Sequence, residues 1–188
     1  MARLPYADAR SAPSSIRETL DRYPVAALRM LAHAESAFDQ WMEYSRALLG
    51  QLELDPVLRE FAILEVARLR DSQYQWIQHV AIARAVGVSG AQIAAIKEGR
   101  EDDERLTESE SEVLRFSREV VVDGAASERS VTALADRLGP RQVVELLLVI
   151  GHWTSICILV SSMDLEPDLP SMAGAVPDTL ALRHASDP

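Results

Sequence analysis

Residues 60–79 read EFAILEVARLRDSQYQWIQH, and this stretch decides the fold. In its first half Glu60 shares an i, i+3, i+4, i+7 stripe with Ile63, Leu64 and Ala67, the pattern of a core-facing helix side. A carboxylate therefore stands where an apolar residue belongs. Glu65, on a stripe with Phe61, Ala62 and Leu69, is its rival as the buried acid. Asp55 before Pro56 marks the start of this helix, because aspartate caps free amides and proline at the first helical position loses no needed donor; it should run over about 56–70. A second helix, over about 72–86, puts Ser72, Gln75 and His79 on one face, with Tyr74, Ile77 and Ala81 beside them. Joined at Asp71, the two helices are expected to pack antiparallel and to bring their polar faces together.

The flanks extend the helical pattern in both directions. Upstream, residues 1–13 carry Pro5 and Pro13 without a sustained period and read as an arm, followed by a short helix that stops before Pro24. Helical spacing then runs from Val25 to about Leu49, with a break near Ala34 to Ser36, and Gly50 is expected to end it in the left-handed conformation. Downstream, Ser89 with Gln92 and Thr107 with Glu110 read as capping boxes opening two further helices. Gly139 and Pro140 start the last long helix, to about Met163, and its apolar run Leu146 to Val160 is interrupted by Gly151, His152 and Ser155, which reads as a buried helix. Pro167, Pro170, Pro177 and Pro188 mark a loop-like tail. No hairpin turn or alternating strand pattern occurs, so the fold is predicted to be all-α, a single-domain bundle of about seven or eight helices. The expected organisation is an arm over 1–24, a helical domain over 25–167 and a tail over 168–188.

Bulk properties narrow the function. The chain has 188 residues and a formal net charge of −10, which argues against nucleic-acid and anionic-membrane partners, since those are held by Lys and Arg. Its one cysteine, Cys157, excludes an intramolecular disulfide and any Cys-x-x-Cys pair, and reads as an inert core thiol. A cytoplasmic setting fits, with no leader and no apolar run near the roughly 20 residues of a membrane span. Phosphate loops, Gly-x-Ser-x-Gly elbows and His-Glu-x-x-His motifs do not occur, and the acidic run Glu101 to Glu104 lacks the ligand spacing of a calcium loop.

The intervals separating Glu60, Ser72, Gln75 and His79 are similar to those between the glutamate, the two cysteines and the histidine of the carboxymuconolactone decarboxylase and alkylhydroperoxidase D-like family. Arg59-Glu60, Ala62-Ile63-Leu64, Tyr74-x-Trp76-x-x-His79 and Gly87-Val88-Ser89 resemble its decarboxylase-like branch; Leu31-Ala32-His33 and Gly151-His152-Trp153 match more loosely. The resemblance covers roughly residues 25–167. It implies an AhpD-like helical fold, homo-oligomers from dimer to hexamer, and a small-molecule substrate. Ser72 and Gln75 stand where the peroxidase branch has cysteines.

On this reading Glu60 and His79 are the candidate catalytic pair. Burial favours the protonated form of a carboxylate and histidine titrates near neutrality, so together they would shuttle a proton to or from carbon, as a decarboxylase of lactone acids needs, with no metal or organic cofactor. Ser72, Tyr74, Gln75, Trp76, His152 and Trp153 are expected to line the substrate pocket. Arg59 and Arg68 are candidates for a substrate carboxylate, with a surface position expected for each. Two alternatives stand beside this one: a thiol peroxidase, which lacks its cysteine pair here, and a metal protein or ligand binder built on His33, His79 and His152.

Overall fold

The computed structural model describes residues 1–8 and 10–168. Among these residues the chain is all-helical, with nine helices: α1 (Ser14–Arg22), α2 (Ala26–Leu31), α3 (Glu35–Gly50), α4 (Pro56–Leu69), α5 (Gln73–Ala85), α6 (Gly90–Lys97), α7 (Glu108–Asp123), α8 (Glu128–Leu138) and α9 (Pro140–Met163). The count exceeds the expected seven or eight because the break near Ala34 is real: Ala32 to Ala34 separate α2 from α3. The greater part of the proline-containing tail, residues 169–188, lies outside the described residues.

Helix α4 is the axis of the bundle. The Asp55 carboxylate accepts a hydrogen bond from the Val57 amide at 2.7 Å and Pro56 occupies the first turn, as the sequence indicates. Every residue from Leu58 to Ala67 is buried, against α5, α6, α7 and α9. The main core gathers Phe61, Ile63, Leu64, Phe116, Leu146 and Val149 around it. Its last turn passes through Asp71 at φ 48°, the left-handed region that aspartate tolerates better than most residues, directly into α5.

Both capping boxes form as read, Ser89 with Gln92 and Thr107 with Glu110. Gly124, at φ 85°, ends α7 in the left-handed conformation. Gly50 does not do the same for α3: it stays helical, and Gln51 at φ −123° is the cap. The reason is local, since Gln51 still donates to the Ala47 carbonyl and the chain leaves without reversing. Helix α9 also departs from expectation. It contains an 18-residue window of mean hydropathy 2.1, long and apolar enough to cross a membrane by length and composition. Half of that window is buried inside the bundle, against α4, α8 and α7, which is the environment of a core helix.

A third cluster ties the ends of the described chain together. Tyr74 packs there with Ala26, Met30, Val160 and Leu165, and its hydroxyl donates to Asp168. The Asp168 carboxylate also accepts from the Ala26 amide at 3.0 Å, capping α2, which has no side-chain cap of its own. This carboxylate and burial together push the Tyr74 hydroxyl well above its ordinary range.

Candidate functional site

Four helices meet at a buried polar chain. From α4, the Arg59 Nε donates to Glu60 Oε1 at 3.0 Å, and Arg59 Nη1 donates to the Leu49 carbonyl at the end of α3 at 2.6 Å. The other Glu60 oxygen, Oε2, lies 2.8 Å from His79 Nδ1 on α5. The indole of Trp153, on α9, donates from Nε1 to His79 Nε2 at 2.6 Å. Glu60 is completely buried, and Arg59, His79 and Trp153 nearly so.

This chain of bonds fixes the histidine's protons. An indole N–H is only ever a donor, so His79 Nε2 must offer its lone pair; the ring proton then sits on Nδ1 and is donated to Glu60. Glu60 accepts from Arg59 and His79 at once, the pattern of a carboxylate, and its charge is balanced by a guanidinium one residue away. Arg59 is not at the surface as its sequence context implies: α4 has no exposed middle face, so a residue beside the apolar stripe is buried as well. Its Nη2 is buried and has no hydrogen-bond partner among the described residues.

A second histidine completes the site. His152 sits one residue before Trp153, with Trp41 tilted over it at 4.6 Å between ring centroids and Tyr44 edge-on at 5.2 Å. The Ser45 hydroxyl donates to the Trp41 carbonyl at 2.8 Å, so it receives the His152 Nε2 proton at 2.9 Å, and Nδ1 is the acceptor nitrogen. Burial, reinforced by His79, lowers the His152 pKa to about 4, so this imidazole is neutral at pH 7.

The remaining candidates are distributed elsewhere. Ser72 caps α5 and lines a surface groove of about 180 Å³ with Trp76, Gln73, Arg68 and Lys97. Gln75 is buried one turn from His79. Tyr74 turns to Asp168 and away from Glu60. Glu65 pairs with Arg68 through two hydrogen bonds of 2.9 and 2.5 Å, so Glu60 and not Glu65 is the carboxylate beside the histidines; Arg68 is half-buried in this pair and not at the surface as expected. Burial raises the Glu65 carboxyl against the opposing pull of Arg68. The three-histidine metal set does not assemble. His33 is exposed and its Nε2 lies 2.8 Å from the Pro5 carbonyl, and no group of three His, Cys, Asp or Glu side chains among the described residues is placed to hold a metal ion. Two placements were illegible in the sequence: the Trp153 bond to His79, and the position of Cys157 on α9 near Ser72 at the start of α5. Burial nevertheless pushes the Cys157 thiol up, the wrong direction for an attacking thiolate.

Residues 35–109 match the model of the carboxymuconolactone decarboxylase family. Over that segment, 75 of the 188 residues, the chain is similar to this family. The matched segment contains α3 to α6, hence Arg59, Glu60 and His79, while α9 with His152 and Trp153 lies beyond it. A crystal structure of an alkylhydroperoxidase AhpD core, an uncharacterized peroxidase-related protein from Ralstonia eutropha, superposes with a TM-score of 0.76 at 16% identity, over 89% of this chain and 93% of that one. At that identity the likeness concerns the fold. No curated protein matches the chain significantly.

Within this buried polar site, Trp153 decides which histidine nitrogen carries the lone pair. Trp153→Phe keeps the ring and removes the donor. Imidazole ¹⁵N spectra of the wild type at neutral pH are expected to show a lone-pair nitrogen at His79 Nε2 with a hydrogen-bonded shift, and that shift is expected to disappear in W153F. A protonated Nε2 in the wild type would overturn the assignment.

Proposed function

We propose that the chain is a cofactor-independent enzyme that moves a proton to or from carbon in a small carboxylated or lactone-like substrate, most concretely a decarboxylase. The observation that carries this reading is the buried contact of Glu60 with His79, oriented as base and ring donor. When substrate displaces the Trp153 indole, His79 Nε2 becomes the acceptor or donor for the transferred proton. Glu60 then stabilises the imidazolium that forms, as a carboxylate hydrogen-bonded to Nδ1 does. In the decarboxylation step His79 Nε2 first takes up a proton from water; the carbon–carboxylate bond of the substrate carboxylate then breaks, CO2 leaves, the electron pair stays on carbon, and the imidazolium gives that proton to the carbon, which restores neutral His79 and leaves hydroxide from the water. The spare N–H of Arg59 Nη2 is a donor suited to a substrate carboxylate. Trp41, Tyr44 and Trp153 supply apolar walls that limit water.

Thiol-peroxidase chemistry fits these residues poorly. It needs an attacking thiolate and a resolving cysteine, whereas Cys157 is the single thiol and burial disfavours its ionised form. The discriminating experiment is a panel of lactone acids and small β- or γ-keto acids assayed for CO2 release, run beside hydroperoxide consumption with a dithiol reductant. CO2 release without hydroperoxide reduction is expected. Hydroperoxide reduction abolished by Cys157→Ser would replace this reading with the peroxidase one.

A further inference from the structure

On the buried face of α5, Gln75 is the odd member. Its neighbours are engaged: Ser72 caps the helix by accepting from the Gln75 backbone N–H, the Tyr74 hydroxyl donates to Asp168, and His79 is held between Glu60 and Trp153. Gln75 itself is 5% exposed, yet its side-chain carboxamide makes no hydrogen bond among the described residues. A primary amide carries two N–H donors and a carbonyl acceptor, and burying them without partners destabilises the resting fold. Polar groups left in that state are exceptions in folded proteins, and a catalytic role is one of the reasons they persist.

Its position says which ligand atom it would meet. Gln75 and His79 are four residues apart on α5, so they rise from the same face with Cβ atoms about 5–6 Å apart. A substrate drawn up to His79 Nε2 therefore comes within one helical turn of the Gln75 amide. When CO2 leaves a carbon that is conjugated with a carbonyl group, the electron pair left on that carbon spreads onto the carbonyl oxygen, and an enolate results. That oxygen carries negative charge until His79 gives the carbon its proton, and a donor aimed at it lowers the barrier. Arg59 is the wrong donor for this step, since a guanidinium holds a substrate carboxylate before the reaction starts. A neutral amide binds the uncharged carbonyl weakly and the enolate oxygen strongly, and only such a difference accelerates the step.

We infer that Gln75 is a catalytic oxyanion donor, its carboxamide N–H holding the charge that develops on the substrate's carbonyl oxygen as CO2 departs. The inference rests on the decarboxylase reading above and narrows its substrate class. The acid carries a carbonyl, of a lactone or a ketone, in conjugation with the carbon that loses CO2. The electron pair shared with that oxygen returns to carbon as the new C–H bond, so the donor adds no atom or electron to the balance above. Because an amide does not titrate, Gln75 stays a donor at every working pH.

The probe is tetronate, the stable enolate anion of a five-membered lactone, compared by calorimetry with the neutral lactone γ-butyrolactone. The wild type is expected to bind tetronate the more tightly. Gln75→Met keeps the length of the side chain and removes its N–H donors; it is expected to bind tetronate about 10–100-fold more weakly, with γ-butyrolactone unchanged. On the acid found by CO2 release, the same variant is expected to lose about 10²–10³-fold in kcat, with KM and the pH profile unmoved. Thermal unfolding separates this role from a structural one: an amide with no partner supports nothing in the resting fold, so Gln75→Met should melt at or above the wild-type temperature. Equal tetronate affinity in wild type and variant, no tetronate binding by the wild type, or a variant that melts well below it would each overturn the proposal while leaving proton transfer by His79 standing. Tetronate held through Gln75 by a protein that releases no CO2 from any acid would uphold the oxyanion site and remove the decarboxylase reading alone.

Discussion

Replacing Glu60 with alanine is expected to cost about 3–5 kcal/mol of folding stability, the largest loss from any single side chain in the site. The carboxylate is fully buried and takes hydrogen bonds from both Arg59 and His79, so its removal leaves a guanidinium in the core with no counter-charge and an imidazole N–H with no acceptor. Urea denaturation should show the midpoint falling with an unchanged slope. The double variant Arg59→Met, Glu60→Leu supplies the control: with both charges gone it should recover a large part of the loss, because most of the penalty belongs to the orphaned cation. A single variant that unfolds at the wild-type midpoint would mean that the Arg59–Glu60 pair is solvated in solution.

The second large effect is on turnover. On whichever acid the CO2-release panel identifies, His79→Ala is expected to lower kcat by about 10²–10⁴-fold, the usual contribution of a positioned acid or base. Truncation also strands the Trp153 N–H and one Glu60 oxygen, so some stability is lost, about 1–3 kcal/mol per orphaned group. Rates are therefore compared well below the melting transition, where the folded fraction of both proteins is complete. Wild-type turnover in the alanine variant would remove proton transfer by His79 from the mechanism.

Much of this was legible from residues 55–79, for specific reasons. Asp55 and Pro56 announce a helix start by local chemistry alone, and the two capping boxes do likewise, so those boundaries needed no tertiary information. Glu60 stood out because a polar residue on an apolar stripe breaks a period that the sequence itself defines, and His79 because it shares a polar helix face with Ser72 and Gln75 at intervals similar to the family's. Arg59 escaped the same logic. Residues i and i+1 on a helix point 100° apart, so a stripe argument sends the neighbour of a buried residue outward. That inference holds for a helix with a wet side and fails for α4, which is enclosed on all of its sides by α5, α6, α7 and α9. The Trp153 and Cys157 placements were invisible for another reason: they join segments more than 70 residues apart, and no local period encodes which turn of α9 meets α5. The Tyr74 hydroxyl was likewise claimed by Asp168, 94 residues away.

The enclosure of α4 has a consequence for motion. Its amides lie under four helices, so solvent deuterium reaches them only when the whole bundle opens, and their exchange is set by the global stability instead of by local fraying. Arg59 and Glu60 are carried on that slowest-exchanging segment, while the two aromatic rings over His152 come from α3, whose Tyr44 faces water. The charged half of the site is thus a fixed anvil, and under the proposed function the breathing that admits a substrate belongs to the α3 side.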